Sequence, residues 1–257
     1  MLFKNKNGLQ FFTFSNLSVF ENIHHAIFTR DNGISSGDYN SLNVGLSVGD
    51  KKESVVINRK TIARCMDSQK LVFANQFHET GILVFKKSDV NRPSKIDASP
   101  LSGDAMITDI PGKSLAIQLA DCQGILLFDP QNKVVANVHS GWRGSIANIL
   151  GTCVASMKTE FGCRPKNIYA GISPSLGPCC GEFIHYQQEI PQRYWRYKNT
   201  SDYFDFWKIS FHQLANAGIS SQHVEISNIC TKCNSHLFFS FRKKNPTGRF
   251  VSVIGLK

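Results

Sequence analysis

The stretch that most constrains the fold is "ADCQGILLFDPQNKVVANVHSGWRG", residues 120–144. Two apolar runs are joined by "DPQN". Aspartate at the first turn position and proline at the second favour a type I β-turn, so the stretch is expected to form a buried antiparallel hairpin. A tight turn over Asp129 to Asn132 places Cys122 directly opposite His139. Opposed side chains in such a pair have Cβ atoms about 4.5–5.5 Å apart, which suits two ligands of one metal, or a thiol and its base. A bulge would change that register. A buried free thiol and a hydrogen-bonded core histidine would satisfy the same spacing.

The hairpin leads into the clearest helix of the chain. Ile146, Ile149, Leu150, Cys153, Val154, Met157 and Phe161 fall on one stripe at helical spacing. Ser145 is the expected N-cap and Gly162 the expected stop. Cys153 lies on the stripe and reads as core. Residues 26–50 read as a strand followed by a glycine-rich loop. Residues 53–66 read as a helix on Val55, Val56, Ile62 and Met66. Residues 71–78 alternate like a strand, with His78 and Gln76 on one face, and "GILVF" at 81–85 is expected to pair with them. Residues 88–103 read as a loop, and "NIYAGIS" as a further buried strand. No shift in composition marks a boundary, so residues 1–257 are expected to form one domain, with residues 1–25 as an arm or edge strand.

Bulk properties exclude several classes. With 257 residues and 42% hydrophobic content, the chain can bury a full core. No apolar run is long enough for a transmembrane helix, and the N-terminal stretch lacks the unbroken apolar core of a signal peptide. The expected location is therefore the cytoplasm. The net charge of +10 is scattered, whereas a nucleic-acid surface would need clustering with interleaved aromatics. A basic solvated surface, or an anionic small substrate such as phosphate, accounts for it. In a reducing compartment the eight cysteines point to metal binding or catalysis rather than disulfides. Of these, Cys179, Cys180 and the "CTKC" unit at 230–233 form a weak zinc-ribbon signal, and reduced structural thiols are the plainer reading.

A metal at Cys122 and His139 needs a third ligand. His78, at the end of a strand-like run, is the best candidate; His24, His25, His185, His212, His223 and His236 lack comparable context. One cysteine and two histidines with an open position suit zinc, and the same set can bind copper. There is no His-x-His pair of the kind multicopper centres use. The loop "SGWRG" opens the helix beside His139. Free amides at a helix start and the fork of Arg143 favour an anion there.

Together these motifs resemble the YfiH-like family, also called the laccase-domain or multicopper polyphenol oxidase family, with an animal relative named FAMIN. The resemblance runs from about residue 26 to the C-terminus. It rests on "FTRDNGISSGDYNSLNVGLSVGD", "NQFHETG", "GDAMIT", "ADCQGILLFD", "VHSGWRG", "GPCCGEF" and "FSFRKKNPTGRF", in that order. It implies an α+β fold: an α/β/β/α sandwich of mixed, largely antiparallel sheets, also seen in the deamidase toxin CNF. It implies a zinc held by His78, Cys122 and His139. It also implies phosphorolysis of adenosine, inosine and S-methyl-5'-thioadenosine, with adenosine deamination at the side. Asn32, Glu79, Gly124, Ser140, Ser173 and Lys243 depart from the family's usual residues. In place of Gly124 and Ser173 the family carries proline and glycine. None of these changes removes an expected ligand.

On that reading Cys122, His139, His78, Arg30 and Asp121 are the candidate catalytic residues. Arg30, Arg143, Asn43 and Arg242 are the candidates for holding phosphate or nucleoside, with Arg249 a weaker one. Asp121 or Asp104 would orient ligands or move a proton, unless each merely anchors a loop. The expected partners are purine nucleosides and phosphate, with neither nucleic acid nor membrane. The oligomeric state cannot be read from the sequence. Two rival readings stand beside this one: a cysteine hydrolase of a cell-wall precursor, with Cys122 as nucleophile and His139 as base, and a copper-dependent polyphenol oxidase or copper-binding protein.

Overall fold

The structure is a computed structural model and describes residues 1–68, 70–89 and 101–257. Two six-stranded sheets stack face to face. The first runs, in spatial order, through β1 (Leu2–Lys6), β2 (Leu9–Thr13), β3 (Ile23–Phe28), β12 (Phe250–Leu256), β7 (Lys113–Leu119) and β4 (Lys70–Phe73). The second runs through β11 (Val224–Ile226), β10 (Tyr169–Ile172), β8 (Gln123–Asp129), β9 (Val134–Ser140), β6 (Ala105–Thr108) and β5 (Ile82–Phe85). The pairings β4–β7, β5–β6 and β10–β11 are parallel and the others antiparallel. β1 forms the exposed edge of the first sheet.

Three apolar layers make this an α/β/β/α sandwich, as the resemblance implies. Between the sheets, Leu115, Ile117 and Ile254 meet Met106, Leu126 and Phe128. Following the short α1 (Ser15–Ser18) in the chain, the helix α2 (Lys52–Cys65) lies outside the first sheet, where its Ile62 and Cys65 cover Ala116 and Val253. Outside the second, Leu150, Val154 and Met157 of a helix spanning Ile149–Phe161 cover Ile125 and Val138. β8 and β9 are thus covered on both faces, and every residue in them is buried, which explains their unbroken apolar runs. Within the dry layer, Asn137 Nδ2 donates to the carbonyls of Leu115 and Ser252 at 3.0 and 2.9 Å. Ser252 Oγ donates back to Asn137 Oδ1 at 3.0 Å. This satisfied polar bridge pins one sheet to the other two residues before His139.

Several expectations are corrected. The hairpin turn is wider than expected: Asp129 pairs with Val134, and Gly124 rather than Cys122 faces His139. The Asp129 carboxylate accepts from the amides of Gln131 and Asn132 at 2.9 and 3.2 Å. Lys133 then takes a left-handed φ of 52°, which lengthens the loop before pairing resumes. The expected single helix is broken. A short α3 (Trp142–Ile146) ends before Asn148, whose left-handed φ of 59° and side-chain bond to the Gly151 amide start α4 (Ile149–Phe161). Ser145 therefore lies inside α3 and caps nothing, while Gly162, at φ 69°, does stop α4. The 71–78 strand is only β4, and β5 pairs with β6 in the other sheet rather than with β4. Val56 points outward at 42% exposure. Most of the expected 88–103 loop lies outside the described residues.

Gly124 and Ser173, two of the departures from the family's residues, meet in the fold. The buried Gly124 amide donates to Ser173 Oγ at 2.8 Å. A proline at position 124 would have no amide to satisfy, so a glycine there brings a need for the hydroxyl.

Candidate active site

Cys122 stands immediately before β8, and His139 is the penultimate residue of β9. The wider turn places Gly141 where the tight turn would have placed His139. Because strand side chains alternate, a shift of two keeps Cys122 and His139 on one face. They therefore meet diagonally, and Gly141 makes room for them. A Cβ at Gly141 would lie 2.7 Å from His78 Nδ1 and 3.1 Å from Cys122 Sγ.

His78 reaches the pair through an unusual backbone. It sits after β4 in the left-handed region, at φ 62°, where a non-glycine residue costs about 1–2 kcal/mol. One buried carboxylate holds it there. Asp104 accepts from the amides of Phe77, His78 and Glu79 at 3.2, 2.9 and 2.9 Å. The same carboxylate meets His139 Nδ1 at 2.8 Å. Asp104 thus sets the orientation of both histidines and leaves Nε2 of His139 to face Cys122 and His78. The His78 and His139 rings lie 4.8 Å apart, edge to face. The donor atoms of His78, Cys122 and His139 all fall within 4.8 Å of one another.

The electrostatics favour a thiolate. Burial opposes ionisation of Cys122, but the charge of His139 and hydrogen bonds from both histidines prevail and pull the thiol down to about 6. Burial likewise opposes charge on His139, yet the Cys122 charge and the Asp104 hydrogen bond push it up to about 9. Asp104 is itself held low: the His139 and backbone hydrogen bonds outweigh burial. A soft sulfur and two imidazoles, one backed by a carboxylate, form the donor set and outer support that zinc or copper uses. The residues present fit a metal.

These three residues line a cavity of about 980 Å³, roomy for a nucleoside and an anion. Arg143, Arg242 and Arg249 also line it, together with Asp121. The Arg143 guanidinium lies 4.2 Å over the Trp142 ring, and Arg242 Nη1 donates to the Glu182 carbonyl at 2.9 Å. With α3 only five residues long, the anion preference at this end falls to the arginines more than to a helix dipole.

Two expected residues lie elsewhere. The Arg30 guanidinium donates to the carbonyls of Asn40 and Ser235 and stacks on Phe239, and it borders a separate small hollow. Asn43 is fully buried: its Oδ1 accepts from the amides of Gly45 and Arg249 at 2.9 and 2.8 Å. It positions the chain at Arg249 and does not line the cavity. Asp121, at φ 83°, accepts from Thr231 Oγ1 and the Arg242 amide, both at 2.7 Å. Those contacts make it an anchor for the wall that carries Arg242.

Sequence reasoning missed Arg59, which also lines the cavity. It donates to the Val44 carbonyl at 2.9 and 2.7 Å and stacks 3.7 Å over Phe73; burial lowers it to about 10. Its signal was present, since Arg59 interrupts the buried face of α2 between Val55 and Ile62. Gln76 and Gln118 were missed as a pair. The Gln76 amide group donates to the Gln118 carbonyl and accepts from its N–H, both at 2.9 Å, and both residues line the cavity.

A His/Cys donor cluster at strand ends in this two-sheet sandwich defines a YfiH-type protein. The chain belongs to the family described as multi-copper polyphenol oxidoreductase laccase, which matches residues 24–257. It is similar to the purine nucleoside phosphorylase YlmD of Geobacillus stearothermophilus, with 33% identity across 88% of each chain. A purine nucleoside phosphorylase of Bacteroides thetaiotaomicron is 32% identical across 94% of each. The crystal structure of YlmD from Geobacillus stearothermophilus superposes with a TM-score of 0.85 at 31% identity, covering 99% of this chain and 98% of that one. The YfiH protein of Bacillus licheniformis gives 0.84 at 29% identity, covering 97% and 96%. Among the described residues no helix is long and apolar enough to cross a membrane.

Proposed function

We propose that the protein is a cytoplasmic, zinc-dependent purine nucleoside phosphorylase acting on adenosine, inosine and S-methyl-5'-thioadenosine, with adenosine deaminase activity at the same site. The observation that carries the reading is the convergence of His78, Cys122 and His139 on one side of a cavity also edged by arginines. The names of the relatives at about one-third identity support the same class.

His78, Cys122 and His139 would hold the zinc, which supplies Lewis-acid polarisation when bound. Phosphorolysis forms a bond from a phosphate oxygen to the ribose anomeric carbon. The carbon–nitrogen bond breaks, and its electron pair leaves with the base, which takes up a proton. Arg143 and Arg242 are assigned to the phosphate: both line the cavity, and Arg242 gives only one hydrogen bond of its fork to a carbonyl, that of Glu182, whereas Arg59 directs two nitrogens at the Val44 carbonyl and Arg249 bonds two carbonyls. Phe77 and Phe241, 60% and 48% exposed, line the same cavity. They offer flat apolar surface for a purine ring. Asp104 is a positioning residue, acting through His78 and His139.

The protein is incubated with inosine and phosphate, and ribose 1-phosphate and hypoxanthine are measured. Both are expected in equal amounts, and neither without phosphate. Adenosine without phosphate is expected to release ammonia. Arg143→Ala is expected to raise KM for phosphate by about tenfold or more, the loss of one charge-assisted hydrogen bond. Metal-loaded protein that forms neither ribose 1-phosphate from adenosine or inosine nor 5-methylthioribose 1-phosphate from S-methyl-5'-thioadenosine would overturn the reading.

One observation favours a second reading. Cys122, His139 and Asp104 are aligned as a nucleophile, a base and the carboxylate that orients the base. A metal-free cysteine hydrolase of a cell-wall precursor would use that same alignment. It predicts activity that survives chelation and is abolished by alkylation of Cys122. A copper-dependent polyphenol oxidase, the activity in the family's description, predicts phenol oxidation that depends on copper and not on phosphate.

A further inference from the structure

A second donor cluster lies on the loops beside the cavity. Cys179 and Cys180 follow β10, and Cys230 and Cys233 follow β11. The chain brings the two loops into register: the Ser175 amide donates to the Ile229 carbonyl at 3.2 Å, and the Thr231 amide to the Ser175 carbonyl at 3.0 Å. Cys179 Sγ and Cys180 Sγ each lie 3.6 Å from Cys233 Sγ, and all four sulfurs fall within 4.8 Å of one another.

That spacing has a chemical meaning. Four sulfurs about 2.3 Å from a zinc ion, at the corners of a tetrahedron, stand about 3.8 Å apart. A disulfide would hold two of these sulfurs at about 2.05 Å, far closer than the 3.6 Å found here. Here one sulfur lies at the same distance from two others. The local hydrogen bonds are also those of a thiolate knuckle. The Gly177 amide donates to Cys230 Sγ at 3.3 Å, and the Cys233 amide points to the same sulfur. Backbone N–H groups aimed at sulfur stabilise its negative form. The short Cys-x2-Cys spacing lets one turn supply both thiols.

We propose that Cys179, Cys180, Cys230 and Cys233 bind a structural zinc ion, separate from the His78–Cys122–His139 cluster. Four protein sulfurs fill the tetrahedron and leave no open position, so the ion acts as a staple and not as a reaction centre. What it staples is one wall of the cavity. The first loop carries Ser175 and Leu176, the second leads to Phe241 and Arg242, and all four residues line the cavity. Thr231, between the two ligands of the knuckle, bonds Asp121, which also holds the Arg242 amide. The staple thus fixes the distance between Arg242 and Cys122, the neighbour of Asp121. The assignment needs only these thiols and holds whether or not the cavity takes nucleosides.

The test starts from Cys122→Ala, which removes the sulfur of the other cluster and keeps all four staple cysteines. The untagged full-length variant, purified from zinc-supplemented medium, is expected to contain one zinc per chain. Its zinc X-ray absorption spectrum should show four sulfur neighbours at about 2.3 Å. Cys180→Ser/Cys233→Ser in the same background should lose that zinc. In the chain with Cys122 intact, the double substitution should lower the zinc content by one per chain, a difference that stands if Cys122→Ala fails to fold. A metal-free Cys122→Ala protein, a shell containing nitrogen or oxygen in place of sulfur, or an intact mass showing a disulfide among the four would each overturn the proposal.

Discussion

Among the described residues two cysteine-containing donor clusters stand out, one facing the cavity and one on the loops beside it, and they are built in opposite ways. Cys122 and His139 stand at strand ends, and one buried carboxylate, Asp104, holds the His139 ring and the backbone of His78. Cys179, Cys180, Cys230 and Cys233 come from two loops paired to each other, and Cys179 and Cys233 are exposed. The first cluster has three donors and faces a cavity; the second has four and encloses its own centre. Three donors with an open side suit chemistry, while four closed donors suit architecture. On the proposed assignments, one chain holds the same element for two purposes, set by donor number and by what lies on the remaining side.

The largest effect expected from breaking that contrast is at Cys122. Cys122→Ala should reduce nucleoside turnover to background while leaving the staple's zinc in place, as measured by ribose 1-phosphate formation alongside elemental analysis. Next comes Asp104→Asn. Losing the carboxylate behind a metal-ligating histidine typically costs about 10–100-fold in activity or metal affinity. Both should fall in zinc titrations and in kcat/KM, whereas a staple variant should move melting temperature more than kcat. A variant Asp104→Asn with full activity would show that the histidines need no shared anchor.

The thiols themselves separate the clusters by pH. In protein stripped of metal, Cys122 is pulled down to about 6 because the His139 charge and two histidine hydrogen bonds overcome burial. Its alkylation should therefore rise through that pH. Cys180 is pushed up to about 11 by burial and by hydrogen bonding with Cys233. Cys153, deep under β8 and β9, is pushed up to about 12 by burial. Both should lag far behind Cys122 near neutral pH, as read by mass spectrometry of iodoacetamide-treated protein. Equal rates at all three thiols would contradict the electrostatic distinction between the clusters. The smallest effect is expected at Ser173, whose partner Gly124 pairs with His139 but supplies no donor to either cluster. Ser173→Ala leaves the buried Gly124 amide without its acceptor and should cost about 1–3 kcal/mol, or about 2–4 °C in melting temperature per kcal/mol, with kcat little changed.

The strand-end cluster was largely legible in the sequence, and the reason is local. Long apolar runs fix β8 and β9, side chains alternate, and so Cys122 and His139 share a face even though the turn is wider than its residues indicated. The family's motifs brought in His78, which periodicity alone placed at the end of a strand that in fact stops at Phe73. Asp104 was one of two aspartates read as orienting ligands; what the sequence could not convey was that its four contacts join segments far apart in the chain. Arg30 misled for a related reason: a candidate anion ligand at the head of a glycine-rich loop proves to be occupied by the carbonyls of Asn40 and Ser235. The staple was hidden because an adjacent cysteine pair and a lone Cys-x2-Cys unit become a tetrad only when β10 and β11 pair in parallel and align their following loops.

The most direct measurement is an anomalous-difference map collected at the zinc edge from crystals of the full-length protein grown with zinc. A peak bonded to His78, Cys122 and His139 at about 2.0–2.3 Å, open toward the cavity, is the predicted result. Crystals with reduced, unmodified Cys122 and no peak among those three side chains would contradict it.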